Sequence, residues 1–130
     1  EPVDATLKAL RARHEKANVE LLGASGATPI MAEFDRDLAD IDSILKALAL
    51  VRAASNRSRD LVSGYGEMWS ARQIGAFFKH ELGVGREVMF LNARDVLVIE
   101  HTEMGPVTNW DLSRPKLAAT ISSMMPATNA

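Results

Sequence analysis

Apolar residues recur at steps of three and four through the first half of the chain, which is the spacing of helices that bury one face. This spacing predicts a first helix over Asp4–Leu21, capped by Asp4 and stopped by Gly23. A second helix is predicted over Met31–Ala54, and the small residues of segment 23–29 with their closing proline predict a loop between the two. The expected inward positions are Leu7, Leu10, His14, Ala17 and Leu21 in the first helix and Phe34, Leu38, Ile41, Leu45 and Leu48 in the second.

A third helix is predicted over Ser58–Leu82, with the polar segment Ser55–Ser58 offering its cap. Gly64 and Gly66 each cost a helix interior roughly 1 kcal/mol relative to alanine. Their presence therefore indicates either close packing against another element or a break in the helix. The aromatic residues expected in the core of this segment are Trp69, Phe77 and Phe78.

The last third of the chain mixes short apolar runs with turn residues, which predicts strands followed by a helix. The predicted elements are strands at Val88–Leu91 and Val96–Ile99, a turn at Gly105-Pro106, and a helix from Trp110 capped by Asp111 or Ser113. Residues 126–130 carry no structural signal and are expected to be disordered. Together the elements predict one helix-rich α/β unit over residues 1–130, with three long helices, two or three short strands and a final helix.

Composition and charge narrow the classes of function. A net charge of −2 gives no basic surface for nucleic acid or an anionic membrane, and no apolar run approaches the roughly 20 residues that span a bilayer. The absence of cysteine excludes a disulfide scaffold and a thiolate metal site, and it is compatible with a cytoplasmic protein. The start, Glu1–Asp4, has neither an initiator methionine nor the apolar core of a signal peptide, so we expect a piece of a longer protein.

Most familiar catalytic patterns are missing from the sequence. Gly64-x-Gly66 lacks the preceding strand and the third glycine of a dinucleotide-binding loop, and neither a G-x-x-x-x-G-K-[ST] loop nor a G-x-S-x-G nucleophile elbow occurs. The three histidines are far apart in sequence, which argues against a metal site. The acidic residues of the second helix are interpreted as a solvated face rather than as metal ligands. They are Glu33, Asp35, Asp37, Asp40 and Asp42.

One stretch, Ser63–Ala71, stands out because two glycines and a single carboxylate, Glu67, precede a strongly apolar helical pattern. The glycines predict that other backbone approaches closely here. The stretch resembles the Gly-Glu-x-x-Ser-Ala segment of aspartate kinases, members of the amino-acid kinase superfamily. A second block, Asn92–Leu97, resembles that family's Asp-x-Arg-x-Val-Leu step, and the order and spacing of the two blocks also fit. The resemblance covers roughly residues 55 to 100.

The resemblance implies that Glu67 contacts the substrate aspartate and accepts hydrogen bonds from its α-ammonium group, with Gly66 and Arg94 in supporting roles. The residues alone leave plainer interpretations open. A glutamate near a helix start is commonly a surface or capping residue. Arg94 could equally form a salt bridge that ties the turn after a strand to neighbouring structure.

The resemblance further implies that the parent protein uses ATP and Mg²⁺ to phosphorylate the β-carboxylate of L-aspartate, the first step toward lysine, threonine and methionine. The family's Lys-Phe-Gly-Gly phosphate-binding motif is absent from the sequence. We therefore expect part of the kinase's α/β/α sandwich, inactive alone and without cofactor or metal of its own. A fusion of the parent to homoserine dehydrogenase or diaminopimelate decarboxylase stays open.

Two further expectations complete the interpretation. An incomplete sheet leaves unpaired edges and exposed apolar faces, which predicts that the chain self-associates as a homo-oligomer. The competing class of function is a non-catalytic helical interaction module, whose amphipathic helices dock on a partner.

Overall fold

The computed structural model describes residues 2–82 and 88–125, except for the side chain of Pro2. It divides into two compact units, one up to Val88 and one from Met89 onward, here called the helical unit and the hairpin unit. The sequence also predicts that the glycines of Gly83–Gly85 end the third helix. That segment and the predicted disordered tail, residues 126–130, lie outside the described residues.

The first helix, α1 (Pro2–Val51), is one element with a single non-helical residue, Gly23, at φ 69° and ψ 170°. The chain reverses direction at Gly23. The reversal brings Arg11 and Asp35, 24 residues apart in sequence, close enough for Arg11 Nε to donate to Asp35 Oδ1 at 2.7 Å. Residues 2–22 and 24–51 are therefore two antiparallel helical arms, the first arm and the second arm. The helix start at Pro2 places Asp4 inside the first turn, so its prediction as the N-cap is wrong.

The predicted loop over residues 23–29 is also wrong beyond Gly23, since helix resumes immediately and contains Pro29. Small residues here serve close packing of the arms rather than flexibility. Ala27 is 2% exposed, and a Cβ added to Gly26 would lie 3.0 Å from Leu22 Cβ. The same packing buries Leu22 and leaves the predicted inward residue Leu21 41% exposed.

The second helix, α2 (Asn56–Leu82), confirms the third predicted helix with an earlier start. Ser55 Oγ accepts from the Ser58 N–H at 3.1 Å, as expected of a cap. The helix runs through Gly64 and Gly66, so the break that these glycines suggested does not occur. With the two arms of α1 it forms a three-helix arrangement, because Asp37 of the second arm bonds Trp69 of α2.

The core of the helical unit joins the second arm to α2. The spacing prediction is confirmed for Phe34, Leu38 and Ile41, which are buried, and for Trp69, which is 8% exposed. Phe78, predicted to be core, is half-exposed instead. The full buried cluster is Met31, Phe34, Leu38, Ile41, Tyr65 and Trp69, with Leu7, Leu10, Leu45, Val62 and Met68 packed against it.

The hairpin unit contains one helical turn, a two-stranded antiparallel sheet and a closing helix. Its elements are α3 (Ala93–Val96), β1 (Ile99–Thr102), β2 (Gly105–Thr108) and α4 (Trp110–Met124). In the sheet, Ile99 pairs with Thr108 and Thr102 with Gly105. This content confirms the helix-rich α/β class, while the positions of the strands differ from the prediction.

Three predictions in the hairpin unit are corrected by local hydrogen bonding. Residues 88–91 form no strand, and the predicted strand at Val96–Ile99 begins only at Ile99. The preceding residues form α3 because the Asn92 side chain accepts from the Arg94 N–H at 3.1 Å. Gly105-Pro106 belongs to β2 rather than to a turn, which the edge of a two-stranded sheet permits.

The cap of α4 is also different from the prediction. Asn109 is the N-cap and accepts from the Leu112 N–H at 3.1 Å, so neither Asp111 nor Ser113 has that role. Ser113 is fully buried. Its hydroxyl donates to the Asn109 carbonyl at 2.6 Å and accepts from the Val98 N–H at 2.9 Å. A hydroxyl that both donates and accepts thus fixes the start of α4 to the segment before β1.

Candidate substrate-binding segment on helix α2

The segment Gly66–Ala71 lies in α2, whose two sides differ in burial. Tyr65 and Trp69 are separated by one turn and point into the core, at 9% and 8% exposure. Gly66 and Glu67, between them along the chain, are exposed, as are Ser70 and Ala71 directly after Trp69. The residues that carry the family resemblance therefore occupy the outer side of a helix that the core holds from the other side.

Glu67 lies well inside α2, which begins at Asn56. A capping role requires a position in the first turn, so the capping interpretation of this glutamate is excluded. The surface interpretation and the substrate-contacting interpretation both remain compatible with its exposed side chain.

Gly66 leaves the outer side of α2 without a side chain next to Glu67. A Cβ added there would meet nothing within 4 Å among the described residues, so the close approach of other backbone expected at this glycine does not occur. Ser70 Oγ donates to the Gly66 carbonyl at 2.9 Å, the i to i−4 bond common in helices. The space beside Glu67 is therefore open.

The carboxylate of Asp37, in the second arm, contacts the buried side of this part of α2. Asp37 Oδ2 accepts from Trp69 Nε1 at 2.9 Å and from Arg72 Nη1 at 2.6 Å. Arg72 Nε also lies 3.2 Å from Glu33 Oε2. The Asp37 side chain is only 14% exposed, so its assignment to a solvated face is wrong. Its place in the sequence, directly before the inward Leu38, is the one signal that could have found it.

Next to this contact lies a patch that mixes aromatic rings and amides. The His14 ring lies 4.5 Å from the Phe34 ring and 5.3 Å from the Trp69 ring, centroid to centroid. Burial lowers the pKa of His14, and the charge of nearby Arg13 lowers it further. Asn18, 2% exposed, accepts from Gln73 Nε2 at 3.1 Å. The rings contact one another and the two amides share a hydrogen bond, so these groups form the interior of the bundle rather than a ligand site.

The helical unit also has a groove at a different place. It has a volume of about 470 Å³ and lies between the arms of α1, where Arg11 bonds both Asp35 and Glu15. The hydrogen bond and charge of Asp35 raise the pKa of Arg11. None of the residues suggested by the resemblance lines this groove, and its charged side chains, Arg11, Glu15 and Asp35, already bond to one another.

Arg94, the other suggested site residue, lies in α3 of the hairpin unit and is exposed. Its backbone N–H is used by the Asn92 cap. Glu67 and Arg94 thus belong to different compact units. The supporting roles of Arg94 and Gly66 stay predictions.

No group of three or more histidine, aspartate or glutamate side chains within residues 2–82 and 88–125 could hold a metal ion. Among the same residues, no helix combines the length and apolarity needed to cross a bilayer.

Sequence comparison identifies relatives of one kind. The chain is 27% identical, over 79% of its length, to the chloroplastic bifunctional aspartokinase/homoserine dehydrogenase 1 of Arabidopsis thaliana. It is 25% identical over the same share to enzyme 2 of that plant, and 24% over 74% of its length to the enzyme of Daucus carota. The chain is related in sequence to aspartokinase-containing enzymes.

The matched region is a small part of those proteins. The chain spans 11% of each Arabidopsis enzyme and 10% of the Daucus carota enzyme. No family model matches the sequence, and no solved structure matches it at a significant level. The word chloroplastic describes the relatives, and the cytoplasmic location expected for this chain stays a prediction.

Proposed function

We propose that this chain is part of an aspartate kinase, which transfers the γ-phosphoryl group of ATP to the β-carboxylate of L-aspartate. The names of its relatives support an aspartokinase parent, and they also support a fusion to homoserine dehydrogenase over one to diaminopimelate decarboxylase. In this proposal the parent acts in the first step toward lysine, threonine and methionine.

The observation that carries the proposal is the separation of the two sides of α2. Tyr65 and Trp69 anchor the helix in the core, while Glu67 faces outward beside Gly66. The carboxylate can therefore meet a ligand without any rearrangement of the core. A buried Glu67, or one committed to a cap, would have left the resemblance without a possible substrate contact.

The proposed chemistry of Glu67 is binding rather than proton transfer. A carboxylate accepts strong, charge-assisted hydrogen bonds from an ammonium group, and the α-ammonium of aspartate is such a donor. Phosphoryl transfer depends mainly on alignment of the reacting groups and neutralisation of charge. Glu67 thus holds the substrate and Gly66 leaves room beside it, while the supporting role of Arg94 stays an expectation from the family resemblance.

ATP and Mg²⁺ belong to the parent enzyme in this proposal, because the 130-residue sequence contains no Lys-Phe-Gly-Gly motif. Without those phosphate contacts the transition state for phosphoryl transfer is not stabilised. We expect the purified chain to form no aspartyl phosphate, measured as its hydroxamate after incubation with ATP, Mg²⁺ and aspartate. Hydroxamate above the background without protein would contradict this expectation.

The test of the proposal is Glu67→Gln in the complete polypeptide that carries this sequence. Hydrogen bonds to a charged group contribute about 1.5–3 kcal/mol. The loss of the charge should therefore lower kcat/KM for aspartate roughly 10- to 100-fold, since each 1.4 kcal/mol is about tenfold. The KM for ATP should change little, and so should stability, because glutamate and glutamine have similar helix propensities. Steady-state kinetics with each substrate varied separately measures both.

Glu81→Gln is the matched control, because Glu81 is an exposed glutamate farther along the same helix. It should retain wild-type kinetics. If Glu67→Gln also retains wild-type aspartate kinetics, Glu67 is a surface residue. That result would favour the alternative, a helical interaction module, which the exposed apolar side chains of Ile74, Phe78 and Leu82 on α2 also suit.

A further inference from the structure

One carboxylate of the second arm holds two side chains of α2. The Oδ2 atom of Asp37 accepts from Trp69 Nε1 at 2.9 Å and from Arg72 Nη1 at 2.6 Å. Trp69 and Arg72 are three residues apart and so lie on the same side of α2. Asp37 therefore fixes α2 to α1 within one turn of Glu67.

This contact is shielded from water. Trp69 is 8% exposed, and the side chains of Asp37 and Arg72 are 14% and 18% exposed. Hydrogen bonds and ion pairs are stronger in such surroundings than at a surface. Every buried side-chain nitrogen and oxygen in the described residues has a partner, so loss of the Asp37 carboxylate leaves the indole N–H with none.

The geometry of a helix links this contact to the opposite side of α2. Successive residues are about 100° apart around the axis, so Glu67 points roughly 200° away from Trp69. A rotation of α2 that stretches the bonds to Asp37 swings Glu67 through the same angle. Apolar packing of Trp69 against Phe34, with ring centroids 4.3 Å apart, is less directional than these two hydrogen bonds to one oxygen.

We propose that Asp37 is a positioning residue for substrate binding, which holds α2 at the rotation that directs Glu67 toward the substrate ammonium group. This role rests on the proposed function of Glu67. In this proposal Asp37 itself touches no substrate, because it contacts the inner side of the helix, where its Oδ2 accepts from Trp69 and Arg72.

The test uses Asp37→Ala and Trp69→Phe in the complete polypeptide. Displacement of a positioned group by about 1 Å can lower a rate about 100-fold. We expect Asp37→Ala to lower kcat/KM for aspartate about ten- to hundredfold, with KM for ATP unchanged. Trp69→Phe removes the N–H and keeps an aromatic ring, so it should act in the same direction with a smaller effect, even if Asp37→Ala does not fold. Wild-type aspartate kinetics in a folded Trp69→Phe protein would overturn the proposal.

Asp35→Ala is the matched control. Asp35 lies two residues earlier on the same arm and accepts two hydrogen bonds from Arg11, at 2.7 and 2.9 Å. Those bonds join the arms of α1 to each other. Asp35→Ala should therefore keep wild-type aspartate kinetics. A loss equal to that of Asp37→Ala would assign the effect to general loosening of the bundle and contradict a positioning role.

A double-mutant cycle separates this proposal from the proposed function. If Asp37 acts through Glu67, then Asp37→Ala should have little further effect on aspartate kinetics in the Glu67→Gln background. Losses that multiply in the double variant would overturn the positioning role while leaving Glu67 in the site. Wild-type kinetics in Glu67→Gln alone would instead refute the proposed function, and the positioning role with it.

Discussion

At the scale of single residues, polar groups occupy inward positions of the helical unit because they satisfy one another. Asn18 is 2% exposed, yet its amide donates to the His14 carbonyl at 3.0 Å and accepts from Gln73. A buried amide without such partners would be strongly destabilising. The arrangement therefore specifies how the first arm and α2 are aligned, in addition to the apolar contacts that hold them together.

His14 makes the stability of the helical unit dependent on pH. Burial and Arg13 lower its pKa in the folded chain below the ordinary value of 6.5. The unfolded chain therefore binds the proton more tightly, so protonation favours unfolding. The contribution of neutral His14 is complete above pH 6.5 and is lost as pH falls from there toward the lowered pKa. We expect a lower free energy of unfolding near pH 5.5 than near pH 7.5, measured by urea titration.

A His14→Phe variant identifies the source of that dependence, since it keeps an aromatic ring beside Phe34 and Trp69. Its stability should fall less between the two pH values than that of the wild type. His80→Phe, at an exposed position of α2, should retain the wild-type dependence. Equal pH dependence in wild type and His14→Phe would show that other groups cause it.

The contact between Trp69 and Asp37 shows which features of α2 can be predicted from the sequence and which cannot. Helical spacing predicts that Trp69 points inward, and with it that Glu67 points outward. It does not predict that Asp37, among several aspartates on the second arm, accepts from Trp69 Nε1. The two residues are 32 positions apart, and only the packing of the second arm against α2 decides which carboxylate meets the indole.

At the scale of elements, the reversal of α1 depends on one residue. Gly23 adopts φ 69° and ψ 170°, a conformation that is essentially restricted to glycine. The sequence shows glycine, serine, threonine and proline over residues 23–29 and thus indicates a longer loop. It does not show that Ala27 is buried by close packing of the arms, which is what favours helix on both sides of Gly23.

Gly23→Ala should lower the free energy of unfolding by about 1–3 kcal/mol, because a Cβ makes this backbone conformation unfavourable. The cost is conformational, since a Cβ there would meet nothing within 4 Å. Gly66→Ala is the matched control. A Cβ added to Gly66 also meets open space. Gly66, however, lies inside α2 and does not have the positive φ of Gly23 and Gly105. The substitution should raise stability by about 0.5–1 kcal/mol.

Both variants can be compared by denaturant unfolding followed by circular dichroism. The opposite signs are what the structure requires. A stabilised Gly23→Ala protein would mean that the arms can join through a regular helical residue and that α1 does not need the reversal at this position.

The elements of the hairpin unit were harder to predict because asparagine side chains override local propensity. Val96 and Leu97 belong to a β-rich run. The Asn92 side chain nevertheless starts a helical turn before them, and Asn109 does the same for α4. Such caps depend on one side-chain rotamer each, so a strand that includes Ile99 and the final helix were predictable in this unit, whereas α3, β2 and the element boundaries were not.

At the scale of the whole molecule, the hairpin unit has sheet edges without a strand partner in the described sheet, and the helical unit exposes apolar side chains. The sheet of the hairpin unit has only two strands, β1 and β2, and each leaves one edge without a strand partner in the described sheet. On α2, the apolar side chains of Ile74, Phe78 and Leu82 are 53%, 50% and 46% exposed. Surfaces of this kind favour association with other chains.

We therefore expect the purified chain to self-associate, with the apolar side of α2 as part of the contact. Size-exclusion chromatography with light scattering at micromolar concentration should give a mass above that of the monomer. Phe78→Glu places a charge in the middle of the apolar surface and should shift the mass toward the monomer. Met104→Glu, at a 98% exposed position in the β1–β2 turn, should leave it unchanged. A monomeric wild-type chain, or equal effects of the two substitutions, would contradict association through α2.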